Sequence, residues 1–212
     1  MHPLPEQLVS HDLDDTRYLL EVVKGLPDAE FRAVRRPGES VTSWEGLEES
    51  IAAVLEHHIW AKEVWLAAIE GAGLPERDED DDADGLLARH DALAPRWLAA
   101  VHDIDRRGAW DDRLIDALCD PPESFVLSSV IAHVLTYAAH RRQLARQLLR
   151  AAGQEVDDGD PINWLRARQG AGREGEDGEA RAAEPGPRPA RDQRPYPGDS
   201  TAVPQAAAGQ VR

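Results

Sequence analysis

Apolar residues recur every three to four positions along most of the chain up to Ala152, the spacing of a single buried helical face. A first helix is predicted from about Leu4 to Val23, with Leu8, Leu19, Val22, Val23 and Leu26 on one side, and GLPDAEF ends it. A loop with Pro37 and Gly38 follows. Ser43 is the expected N-cap of a second helix running from about Trp44 to Glu70, with Glu45 and Glu48 in its first turns. The third helix covers about Gly85 to Arg106, bent or restarted near Pro95. A long connection from Trp110 to Ser128, centred on CDPPES, leads to a fourth helix from about Ser129 to Ala152. No repeat and no strand pattern stands out. The prediction is an all-α, antiparallel four-helix bundle, with DPINWLRAR adding a short turn that docks Trp164.

Two stretches break this pattern. ERDEDDDAD (Glu76 to Asp84) reads as a solvated loop, because it lacks the glycine and the spaced ligands of an EF-hand. From Gly170 the composition turns to Gly, Pro, Arg, Glu and Ala, with Tyr196 the sole aromatic. Such a segment buries too little apolar surface to offset its ordering entropy. The expected organisation is a bundle over 1–169 and a disordered tail over 170–212.

Placing positions at 100° per residue shows polar residues on the inward faces. On the second helix Leu47, Ile51, Val54, Leu55, Trp65, Leu66 and Ile69 form a stripe with His58 at its centre, while His57 points about 100° away. On the fourth, His133 and His140 lie on one edge of the sector formed by Val130, Val134, Tyr137, Ala138, Leu144 and Leu148. His90 lies among Leu86, Leu87, Leu93, Ala94, Trp97 and Val101, and Asp12 and Asp15 interrupt the stripe of the first helix. Each inward polar group must find a partner or cost roughly 1–3 kcal/mol. A single inward histidine is most often a hydrogen-bonded core residue. Several of them on neighbouring helices make a metal site an equal alternative, and neutral imidazole suits zinc, nickel or iron.

Charge and cysteine content narrow the partners. The formal net charge of −16 disfavours nucleic acid, and no basic cluster invites an anionic membrane. No apolar run approaches the ~18 residues of a membrane helix, and MHPLPEQLVSHDLDD has no signal-peptide pattern. One cysteine, Cys119, fits a reducing cytoplasm; it sits in a Pro-rich connection with no base beside it, so a nucleophilic role is disfavoured. Lys24 and Lys62 are the only lysines. Trp60 points away from the His58 stripe and is the expected contact of a homodimer.

HHIWAKEVWLAAIEG on the second helix and AHVLTYAAHRRQLARQL on the fourth resemble the DinB-like (DinB/YfiT-like metalloenzyme) four-helix superfamily. LCDPPESF and DPINW look like its actinobacterial branch, and the resemblance spans about Leu8 to Arg166. It implies a divalent metal, zinc or nickel, held by a histidine of the second helix and a His-x-x-x-His pair of the last. It also implies thiol-dependent transferase or isomerase chemistry with a low-molecular-weight cosubstrate such as mycothiol. Carried over, the second-helix ligand is His58. The fourth helix departs from the pattern, since Tyr137 stands four residues after His133 and Thr136 four before His140.

That departure has a geometric consequence. Residues four apart are separated by about 6 Å along the axis, residues seven apart by about 10.5 Å. Both side chains lean toward the N-terminus, so His133 and His140 do not converge on one zinc at ~2.0–2.1 Å. At most one of them is expected to join His58 as a ligand. His140 is the first choice because HRRQ resembles the HRGQ that follows the last ligand in the family. Tyr137 could donate a hydrogen bond to developing charge in a thiolate attack on a small-molecule substrate. The alternative is a metal-free, non-catalytic bundle that binds a small ligand or dimerises. A DNA-damage role has only the family's name behind it.

Overall fold

Proline in the first turn of a helix removes only N–H groups that would be unpaired there, and Pro3 and Pro5 occupy that position in α1 (Pro3–Val23). In the computed structural model, which describes residues 3–43, 46–77, 81–116 and 121–169, a short α2 (Asp28–Phe31) follows and buries Phe31. Three further long helices are α3 (Ile51–Glu70), α4 (Ala83–Arg107) and α5 (Leu127–Ala151). Residues 161–169 form a last short helix, α6. The all-α bundle expected from the periodicity is therefore observed. The expected tail lies outside the described residues.

Helix ends follow local chemistry. Ser50 Oγ accepts from Ala53 N at 3.1 Å and starts α3, and Gly71, in the left-handed region at φ 67°, ends it. Asp82 caps α4 through Gly85 N at 2.8 Å, so the acidic run supplies a cap, while its residues 78–80 lie outside the described residues. The helix then continues through Pro95 without a restart.

Two expectations about connections are corrected. The second long helix begins at Ile51 and not near Trp44, because residues 46–49 are drawn out along the preceding loop. Arg35 N and Arg36 N both donate to Glu49 O, and Glu48 N donates to Glu39 O. Leu47, assigned to the core stripe, is consequently 54% exposed. Between α4 and α5, a 3-10 turn (Ala109–Asp111) leads into a two-stranded antiparallel hairpin, β1 (Arg113–Asp116) and β2 (Glu123–Val126), in the register Arg113 to Val126. Four residues per strand are too few for alternation to show above noise. Cys119, between the strands, lies outside the described residues.

α1 packs on α4 and α5, and α3 packs on the same two helices, so α1 and α3 face each other across the bundle. The long links from α1 to α3 and from α4 to α5 span the diagonals, while the short link from α3 to α4 joins neighbours. The core gathers Val9, Leu13, Leu20, Ile51, Leu55, Ile59, Leu86, Trp97, Val101, Ala145 and Leu149. On α1, Val9 and Leu13 supply the buried face, and Leu8, expected there, is exposed. Asp12 and Asp15 are buried between these apolar residues, as their positions on the helix required. No helix among the described residues is long and apolar enough to cross a membrane.

Candidate functional site

His58 projects from α3 into the middle of the bundle and is 1% exposed. Its Nε2 lies 2.8 Å from Thr16 Oγ1 of α1 and 2.8 Å from Lys62 Nζ, one turn along α3. Lys62, also 1% exposed, reaches across to Asp12 Oδ2 at 2.8 Å. The Thr16 hydroxyl stands between Asp12 O, at 2.7 Å, and the imidazole. The two helices that face each other across the bundle are thus joined by polar side chains at its centre.

Electrostatics fix the state of these groups. Burial, reinforced by Lys62, Arg141 and His90, holds His58 well below the ordinary histidine range, so its ring is neutral at neutral pH. Burial also lowers Lys62 well below the usual lysine value; Asp15 opposes the shift and Arg141 adds to it. Nε2 faces both Lys62 Nζ and the Thr16 hydroxyl, whose one proton goes to Asp12 O. His58 Nδ1 has no hydrogen-bond partner among the described residues. His90 is pushed down to about 4, by burial first and then by Lys62.

A small pocket opens beside this cluster, lined by His58, Lys62, Arg141, Trp65, His133 and Tyr137 together with Ala61, Val134 and Ala138. Its cavity of about 10 Å³ is close to the room one water needs. His133 and Tyr137 are half-buried at its edge. Their rings lie 4.7 Å apart, tilted by 54°, and Trp65 meets His133 edge-on at 5.5 Å. The structure therefore brings His58, His133 and Tyr137 to one place.

His140 is not among the lining residues. It is exposed and touches only the far edge of the row, its ring 5.9 Å from that of Tyr137. The structure thus places His133, and not His140, on the pocket wall. The two histidines share a face of α5, but His140 lies seven residues, about 10.5 Å, further along the axis and so clears the pocket.

Several residues of the site went unread in the sequence. Glu48, expected in the first turns of the second helix, is fully buried and accepts from Val41 N at 2.8 Å and from Arg141 Nε at 2.6 Å, with His57 Nδ1 at 3.0 Å. Burial alone would raise its carboxyl, but His57, Arg141 and Val41 together bring it below the usual carboxylate value. His57, expected to face away, is buried because the loop carrying Glu48 folds over that side of α3. Lys62 had a usable signal, since it falls one turn after His58 on the same stripe. Arg141, seven residues after Val134, had the same one.

Beyond the pocket, a second ionic group joins α1 to α5. Arg142 pairs with Asp12 and with Asp15 Oδ2 at 2.7 Å, and Arg146 pairs with Asp15 and reaches Asp157 O at 3.1 Å. The chain closes over this group through α6, where Trp164 Nε1 donates to Asp14 Oδ2 at 2.9 Å. The expected docking of Trp164 is thus seen. Trp60, half-buried on the other side of α3, has the Arg77 guanidinium over its ring at 4.7 Å.

The residues present do not fit a bound divalent metal in this arrangement. A cation about 2.0–2.1 Å from His58 Nε2 would have to sit against the Lys62 ammonium, only 2.8 Å from the same nitrogen. Arg141 adds a second positive group to the lining. Among the described residues, no group of three or more His, Cys, Asp or Glu side chains is arranged to hold a metal ion.

Comparison with known proteins gives one positive finding. A family model described as the DinB superfamily matches residues 13–145, from the first helix through most of the last long one. No curated protein matches the chain.

Proposed function

The chain belongs to the DinB superfamily, and from that premise we propose that it is a metal-free member of the bundle family that binds a small molecule in the His58 pocket. One observation carries this reading: the Lys62 ammonium lies 2.8 Å from His58 Nε2, where a metal cation would otherwise sit. Lys62 supplies the positive charge at the centre of the bundle, and Asp12 compensates it. His133 and Tyr137 form the edge over which a ligand enters.

A second reading has family membership behind it. In it the protein is a divalent-metal-dependent thiol S-transferase or isomerase of the mycothiol-using kind, with His58 and His133 or His140 as ligands and Tyr137 as a hydrogen-bond donor. It requires Lys62 to leave His58 and pull away from Asp12.

Metal analysis separates the two. Protein purified without a His-tag is compared with His58→Ala and Lys62→Met variants. We expect no stoichiometric zinc or nickel in the native chain or in His58→Ala. Near-stoichiometric metal in the native chain, lost in His58→Ala, would overturn the proposal and establish the second reading.

A further inference from the structure

Residues 153–169 lie across α1 and α5 as a strap, and none of them is fully buried. Polar anchors hold it. Arg146 Nε donates to Asp157 O at 3.1 Å, Gln143 Nε2 to Asp158 O at 3.0 Å, and Asp157 N to Tyr18 Oη at 3.1 Å. Further along, Trp164 Nε1 and Arg168 Nη1 both donate to Asp14 Oδ2, at 2.9 and 2.8 Å. The fit is close at Gly159, whose φ is 65° and where a Cβ would land on the Arg146 guanidinium. A segment that buries so little apolar surface opens at a lower free energy than the core beneath it.

Beneath the strap lies His11 of α1, 8% exposed, with no hydrogen-bond partner for its Nε2 among the described residues. Burial is the main influence and lowers the ring below the ordinary histidine value of 6.5. Asp15, on the same helix, opposes the shift, the Arg142 and Arg146 guanidiniums of α5 add to it, and a backbone hydrogen bond with Gly159 opposes it. From the strap, Trp164 meets the imidazole edge-on at 5.4 Å. One step out, Arg168 lies over the Trp164 ring at 5.0 Å, Asp157 pairs with Arg146 at 3.1 Å, and Asp14 holds both Trp164 and Arg168.

A neutral imidazole has one N–H to place and an imidazolium two. The second would arise at Nε2, where the protein offers no acceptor, near two guanidiniums and an indole that already carries the Arg168 cation on its ring. Once the strap lifts, water reaches the ring and supplies the acceptor. The open form therefore binds the proton more tightly than the docked one. Docking is fully present above about pH 6.5 and weakens as the pH falls below it. We propose that segment 153–169 is an acid-released strap, and that protonation of His11 lifts it from α1 and α5. Its opening uncovers Arg146, 0% exposed while the strap is seated.

Hydrogen exchange of the full chain, read by mass spectrometry at about pH 7.5 and about pH 5, tests this. Labelling times are scaled to the intrinsic rate and kept too short for the core helices to exchange. Amides of 153–169 should exchange several-fold more at the lower pH. His11→Phe keeps a ring and cannot titrate, so its strap should stay protected at both values. Should that variant not fold, His11→Gln serves in its place. Gly159→Ala, which sets a Cβ against Arg146, should expose the strap at both. An equal acid response in His11→Phe would assign the proton to a carboxylate such as Asp157 and overturn the proposal. A strap as well protected at pH 5 as at 7.5, or one that opens only when the core helices exchange too, would also overturn it.

Discussion

His57 and His58 are neighbours in sequence, both are buried, and they meet opposite charges. His57 faces the Glu48 carboxylate at 3.0 Å, which also accepts from Arg141 and from the Val41 backbone. His58 faces the Lys62 ammonium at 2.8 Å and keeps one ring nitrogen without a partner. In the first environment Glu48 is fully buried under its donors. The second has a small cavity beside it. A 100° step between adjacent residues of one helix therefore separates a histidine set against a buried carboxylate from one set beside a small cavity.

Removing the carboxylate is the severest way to break this contrast. Glu48→Ala removes the buried carboxylate that Arg141 and His57 face and strands the Val41 N–H, so a loss of about 3–5 kcal/mol is expected. Urea denaturation measures it, and a cost below about 1 kcal/mol would mean that the loop does not seal the helix as described.

Acid attacks the cationic side in particular. Unfolded, His90 takes up its proton near pH 6.5; folded, it does so only near 4, because of burial and Lys62. The unfolded chain thus binds more protons across that window, and stability present above pH 6.5 is lost as the pH falls toward 4. The span corresponds to about 3 kcal/mol from His90, and His58, also held neutral, shifts the balance in the same direction. Denaturation midpoints measured from pH 7 to 4.5 should decline steadily. A flat profile down to pH 5 would contradict the buried, neutral state of both rings.

The smallest effect sharpens the comparison from outside. His140 is exposed and clear of the pocket, so His140→Ala should change stability by less than about 0.5 kcal/mol. A loss above about 1 kcal/mol in the same urea experiment would return His140 to the site.

Much of the site's position was legible beforehand. His58 lies on the stripe with Ile51, Val54 and Leu55, and His90 lies among Leu86, Leu93 and Trp97; all of these are buried. Helical period and side-chain hydrophobicity act over a few residues, so the chain itself fixes which face turns inward. It thereby determined the four long helices, the inward placement of Asp12, Asp15 and His58, and membership of the superfamily.

The tertiary structure decided what those inward groups meet. Arg141 finds Glu48 ninety-three positions away, and Arg142 finds Asp15 at a separation of 127. No local periodicity carries such pairings, because they follow from where loops cross and which helices become neighbours. The same holds for the start of α3. Ser43 and Ser50 are both acceptable caps by propensity, and the backbone bonds from Arg35 and Arg36 to Glu49 selected the second. Whether His58 would face a metal or a lysine was likewise beyond the reach of spacing alone. Lys62 lay one turn away on the same stripe, and only Asp12, presented by the helix across the bundle, made it possible to bury that charge.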